Sequence, residues 1–234
     1  MATYVLVHGA WGGAHGFRHV RRLLQAAGHE VSTPPLTGIG ERVHLAGAQV
    51  TLSTHVADVV NHLRYEDLRD VVLVGFSYGG MVVTGALDHV GDRVRHLVYL
   101  DAFVPRDGES VTGLLGRPAP RLPGPGEPWQ LDGPPRAYED PAEEVFSTPR
   151  RTAQPLGTFT EPVRLTRPLE EWPFPLTYVR ATLPDPGTEP NPAFAAAAAH
   201  ARSSAAWSYR EIATSHLIAQ NRPRELADLL LELA

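Results

Sequence analysis

The apolar positions of this chain fall into short unbroken runs separated by stretches of helical spacing, and its chemically active residues gather where the runs end. Thr3-Tyr4-Val5-Leu6-Val7 and Val71-Val72-Leu73-Val74 are apolar without alternation, the pattern of strands buried on both faces of a parallel sheet. Further strands are read over His29 to Thr33, closed by Pro34-Pro35, and over Arg95 to Leu100, Pro175 to Ala181 and Trp207 to Ile212. Between them the period turns helical. Val20, Leu23 and Leu24 are stopped by Gly28, and Val56, Val59, Val60 and Leu63 follow Ser53 or Thr54 as a cap. Helices are also predicted from Tyr78 to about His89, from Asn191-Pro192 to about Arg202, and from Asn221-Arg222-Pro223 through Leu226, Leu229, Leu230 and Leu233. Thr37 to Val50 has no clear period. The alternation predicts an α/β fold with a mainly parallel sheet of about six strands and helices on both faces.

From Val104 to about Trp172 the texture changes, with seven prolines between Arg117 and Arg136 and only short helical patches such as Pro141 to Phe146. The expectation is one domain over 1–234 with a proline-rich lid inserted at about 104–172, partly ordered by Trp129, Tyr138, Phe146 and Phe159.

In a parallel sheet the strand carboxyl ends share one edge, so the loops holding His8-Gly9-Ala10, Ser77, Asp101, Asp185 and His216 converge. Gly75-Phe76-Ser77-Tyr78-Gly79 reads as strand, sharp turn and helix, with glycines where side chains would collide and the serine facing free N–H groups. Serine is a weak nucleophile that needs a base, and the base needs a third group to fix its tautomer. His216, in the loop after the last strand, is the candidate base. Asp101 is favoured as the acid, because it lies among Tyr99, Leu100, Ala102 and Phe103, where an unpaired carboxylate is costly to bury. Asp185, in the turn Leu183-Pro184-Asp185-Pro186-Gly187, is the alternative. The Tyr78 backbone N–H and one from the first loop, at Ala10, are the candidate oxyanion donors, with His8 bracing that loop.

Composition narrows the chemistry. A formal net charge of −5 and a pI near 6.1 argue against nucleic-acid or anionic-membrane partners. There is no Cys, and all 21 basic residues are Arg, which removes thiol and lysine chemistry. His15 and His19 are four apart without a nearby carboxylate in sequence, so no metal is assigned. The first strand starts almost at Met1 and no apolar run reaches spanning length, so a soluble cytoplasmic protein is expected. The oligomeric state is not encoded in these patterns.

Four stretches resemble the α/β-hydrolase superfamily, within it the plant methyl esterases, hydroxynitrile lyases and their bacterial relatives. They are Val5-Leu6-Val7-His8-Gly9-Ala10-Trp11, Gly75 to Gly80, Val98-Tyr99-Leu100-Asp101-Ala102-Phe103-Val104-Pro105, and Ser215-His216 with the helix from Asn221 to Leu226. The resemblance implies Ser77 as nucleophile, His216 as base, Ala10 and Tyr78 as oxyanion donors, and no cofactor. Plant members carry the acid where this chain has Pro184, one step before Asp185; similar bacterial chains carry it at the position of Asp101. The plant hydroxynitrile lyases use a lysine after the histidine and a threonine in the first loop, where this chain has Leu217 and Gly9. The expected activity is therefore cofactor-independent hydrolysis of a small or medium apolar carboxylic ester, lactone or thioester through an acyl-enzyme on Ser77. A non-hydrolytic lyase or eliminase on the same fold, and a binding protein that has lost its chemistry, are the competing classes.

Overall fold

The computed structural model describes residues 1–118, 124, 126–185 and 190–234. The most proline-dense part of the expected lid, at 119–123 and 125, and the Pro186-Gly187 end of the Asp185 turn lie outside the described residues. The strands are β1 (Thr3–Val7), β2 (Glu30–Ser32), β3 (Val71–Phe76), β4 (Val94–Leu100), β5 (Gln130–Leu131), β6 (Gln154–Pro155), β7 (Leu176–Ala181) and β8 (Trp207–Ile212). The helices are α1 (Arg18–Ala26), α2 (Leu52–Tyr65), α3 (Gly79–Val90), α4 (Val111–Leu114), α5 (Pro141–Ser147), α6 (Gly157–Thr160), α7 (Pro192–Ser203), α8 (Ile218–Asn221) and α9 (Pro223–Glu232).

Six strands pair in the order β2-β1-β3-β4-β7-β8, every pair parallel, as the unalternating apolar runs predict. Successive side chains of one strand enter different cores, since Val71 and Leu73 pack with α2, α3 and α7 on one face. Val72 and Val74 join Val20 and Leu24 of α1 and Leu226 and Leu230 of α9 on the other. The chain leaves β1 for β2 at one edge and then returns past β1 to β3. The reversal opens a crevice between the carboxyl ends of β1 and β3, the place where open α/β sheets hold ligands.

One predicted helix start is corrected and another gains a preceding turn. The cap of α2 is Thr51, which forms a reciprocal capping box with Thr54, because the chain enters the helix two residues earlier than periodicity suggests. The terminal helix α9 opens at Pro223 as expected, and a short turn not read from sequence, α8 over Ile218–Asn221, precedes it, the missing Pro223 N–H separating the two. Asn191 caps α7 as expected, accepting the Ala193 N–H at 2.9 Å.

The described part of 104–172 holds the short elements α4, β5, α5, β6 and α6, and polar contacts tie this stretch to the α/β body. Glu143 of α5 accepts Arg18 of α1 at 2.8 and 2.5 Å, and the Arg18 guanidinium also covers the Phe146 ring at 3.8 Å. Trp11 in the loop after β1 donates its indole N–H to the Leu131 carbonyl and its backbone N–H to Gln154. Among the described residues, no helix is long and apolar enough to cross a membrane.

Candidate active site

Ser77 follows the last residue of β3 and precedes α3 with a φ of +55°. A left-handed conformation costs a non-glycine residue on the order of 1–3 kcal/mol and persists where surrounding bonds over-determine it. Here the Ser77 N–H donates to Leu100, while its carbonyl accepts the N–H groups of Gly80 and Phe103. Gly79 is required by close approach, since a Cβ there would lie 2.5 Å from the Val7 carbonyl oxygen. Five non-glycine residues among those described have positive φ, and three of them, Trp11, Ser77 and Asp101, stand in loops at this crevice.

His216 joins two of the candidate residues in one row. Its Nδ1 lies 2.7 Å from Asp101 Oδ2, and its Nε2 lies 3.0 Å from Ser77 Oγ. Opposite a carboxylate, Nδ1 carries the proton, so Nε2 accepts the Ser77 hydroxyl. All three residues are buried. The imidazole also packs against Phe194, at 5.2 Å and 20° between planes, and against Phe76 at 4.7 Å, so the ring is fixed by shape as well as by bonding. Asp101 Oδ1 accepts from Arg180 of β7 at 2.7 Å. Its remaining oxygen is thereby left to His216.

Asp185 reaches His216 as well, but at a different atom. Its Oδ1 accepts the His216 backbone N–H at 3.0 Å, and its Oδ2 pairs with Arg136 from the 104–172 insertion. The two acids proposed from sequence thus divide, one on the ring and one on the main chain. Neither Arg136 nor Arg180 was singled out from sequence, because nothing local to Gly133-Pro134-Pro135-Arg136 or to strand β7 marks an arginine that folds back on a carboxylate.

The loop after β1 presses on the serine from the other side. A Cβ on Gly9 would stand 2.9 Å from Ser77 Cβ, which leaves no room for a side chain there. His8 braces this loop: Nδ1 donates to the Gly9 carbonyl at 2.9 Å, and Nε2 accepts the Leu36 N–H at 3.1 Å. Burial holds its pKa down to about 4, the neutral form both bonds require. Tyr78 is buried, its hydroxyl donating to His55 Nδ1 at 3.0 Å. The Ala10 and Tyr78 backbone N–H groups have no acceptor among the described residues. Such an arrangement, a serine hydroxyl bonded to an oriented imidazole beside free N–H groups, has the parts needed to attack a carbonyl and hold the resulting oxyanion.

His15 and His19 have carboxylates in space that the sequence did not reveal: His15 lies 2.9 Å from Glu41 and His19 3.5 Å from Glu143. The partners belong to separate segments, and among the described residues no three His, Cys, Asp or Glu side chains gather as metal ligands.

Comparison with known proteins agrees with the architecture. Residues 4–229 match the sequence profile of the Alpha/beta hydrolase family. The chain is 52% identical over 120 residues to the carbendazim hydrolyzing esterase of Nocardioides sp. (strain SG-4G), covering 51% of this chain and 50% of that protein. It is 33% identical over 103 residues to the alpha-hydroxynitrile lyase of Arabidopsis thaliana, covering 44% of this chain and 40% of that protein. These matches span half or less of each relative's length. An extracellular alpha/beta-hydrolase from a Paenibacillus species, described as sharing homology with tobacco salicylic acid binding protein 2, superposes with a TM-score of 0.81 at 22% identity, covering 99% of this chain and 98% of the other.

Proposed function

The chain belongs to the alpha/beta hydrolase family, and from that premise we propose that it is a cofactor-independent serine esterase acting on a small or medium carboxylic ester with an apolar body. The observation that carries the reading is the hydrogen-bonded row Ser77–His216–Asp101. As His216 Nε2 takes the Ser77 proton, Oγ attacks the ester carbonyl, and Asp101 stabilises the imidazolium through Nδ1–H. The oxyanion is received by the Ala10 and Tyr78 N–H groups. Collapse expels the alcohol, which takes the proton from His216. Water then enters, gives a proton to the same nitrogen as it attacks the acyl carbon, and Oγ takes that proton back as it leaves, releasing the acid and restoring the Ser77 hydroxyl. Each donor in such an oxyanion site contributes about 2.7–4 kcal/mol to transition-state stabilisation. Phe17, Phe76 and Leu217 give the adjoining cleft its apolar wall.

The similarity to a carbendazim hydrolyzing esterase puts carbendazim first in a substrate panel, followed by methyl esters, lactones and thioesters. Hydrolysis in the wild type, read as released alcohol (thiol from a thioester; methanol with amine and carbon dioxide from the carbamate carbendazim) and absent in Ser77→Ala, is the expected result. Turnover that survives in Ser77→Ala sinks the proposal.

A lyase is the second reading, favoured by the similarity to an alpha-hydroxynitrile lyase. In that case Ser77 and His216 shuttle a proton without an acyl-enzyme. Isotopically labelled water separates the two, since only hydrolysis places the label in the acid product. Gly9 and Leu217 stand where the lyase-type threonine and lysine are expected, and the space beside Ser77 admits no larger residue at position 9.

A further inference from the structure

The cleft beside Ser77 is narrow, with a cavity volume of about 50 Å³. Its wall is unusual for an apolar substrate. Two guanidinium groups, Arg136 and Arg151, line it, and among the described residues the lining contains no Asp or Glu. Arg136 is ion-paired with Asp185 through one of its terminal nitrogens. Arg151 donates only to the neutral Pro134 carbonyl at 2.8 Å and has no carboxylate partner among the described residues. Holding a partly buried cation without a counter-charge is costly, and the proposed ester chemistry uses no cation at this place. The chain's overall charge is −5, so the positive character is local to the cleft.

We propose that Arg136 and Arg151 form an anion subsite that takes a carboxylate on one end of the substrate, whose apolar body lies along Phe17, Phe76 and Leu217. Guanidinium groups match carboxylates by paired N–H donors, and Arg151 has all but one of its donors free for that purpose. This inference names the substrate class for the esterase reading and rests on it for turnover, although binding is testable without turnover.

The test uses Ser77→Ala protein and calorimetric titration with monomethyl glutarate and dimethyl glutarate, which differ at one end only in a carboxylate. The monoester is expected to bind at least about tenfold more tightly. The preference is expected to disappear when Arg151→Met is added, and to weaken in about 0.5 M salt, which screens exposed charge. The salt titration needs no second variant and keeps the test decisive if Arg151→Met fails to fold. Equal binding, no binding, or a preference indifferent to both salt and Arg151→Met overturns the subsite. Turnover by the wild type is read separately: discrimination without turnover removes the esterase reading and leaves the subsite, whereas turnover without discrimination does the reverse.

Discussion

At the residue scale, the site is a division of labour among charges that sequence can only partly assign. Asp101 faces the His216 ring and Asp185 its backbone, so the two substitutions have different expected costs. Asp101→Asn is expected to lower kcat by about 10⁴-fold, the effect of losing the correct tautomer. Asp185→Asn retains an acceptor for the His216 N–H and is expected to stay within about tenfold of wild type, the worth of one ordinary hydrogen bond. Steady-state kinetics on a shared ester substrate ranks them, and the reverse order contradicts the assignment. Arg180 holds Asp101 Oδ1 and leaves Oδ2 to the His216 ring, so Arg180→Met is expected to lower kcat with KM near the wild-type value, and an unchanged kcat contradicts that positioning role. Ser77, Asp101 and His216 were legible because each is announced by its own neighbours, a strand behind it and a turn or loop ahead. Arg180, Arg136 and the backbone role of Asp185 were not, because they depend on side chains that meet only after the chain has folded.

At the element scale, the parallel pairing of six strands follows from runs that are apolar on both faces, whereas the order of the strands and the contacts of the 104–172 stretch could not be read from sequence. Its hold on the α/β body depends on Glu143 of α5, which is buried against Arg18 and Ser147. Burial works to raise the Glu143 pKa, but the Arg18 and Ser147 bonds hold it below the usual carboxylate range. Removing one partner of such a pair strands the other, at a cost of about 3 kcal/mol when burial is deep. Glu143→Gln is expected to loosen α5 first. Limited proteolysis then cuts within 104–172 faster than in the wild type while the sheet remains protected, and unchanged cleavage there contradicts the anchoring role. The corrected cap has the same origin: Thr51 is fixed by side-chain to main-chain bonds with Thr54 that period alone does not register.

At the scale of the whole molecule, two buried histidines link stability to pH. Burial pushes His8 and His55 down to about 4, and each accepts one hydrogen bond and donates another as a neutral ring. Below the ordinary histidine range the unfolded chain takes up protons that the folded one refuses. Their contribution is fully present above about pH 6.5 and is lost as pH falls toward 4, on the order of 3 kcal/mol for each group. Denaturant unfolding between pH 7.5 and 4.5 is expected to show falling stability, with a shallower slope in His55→Gln; parallel slopes contradict the linkage. The same network sets the loop after β1 and the Tyr78 backbone on either side of Ser77, so fold and chemistry meet at one serine. The most direct test of that claim is the intact mass of wild type, Ser77→Ala and His216→Ala after exposure to a serine-reactive phosphonate. A single adduct on Ser77, absent in Ser77→Ala and strongly slowed in His216→Ala, is the predicted result. A folded wild-type protein that takes no adduct, or one labelled equally without His216, contradicts an activated Ser77.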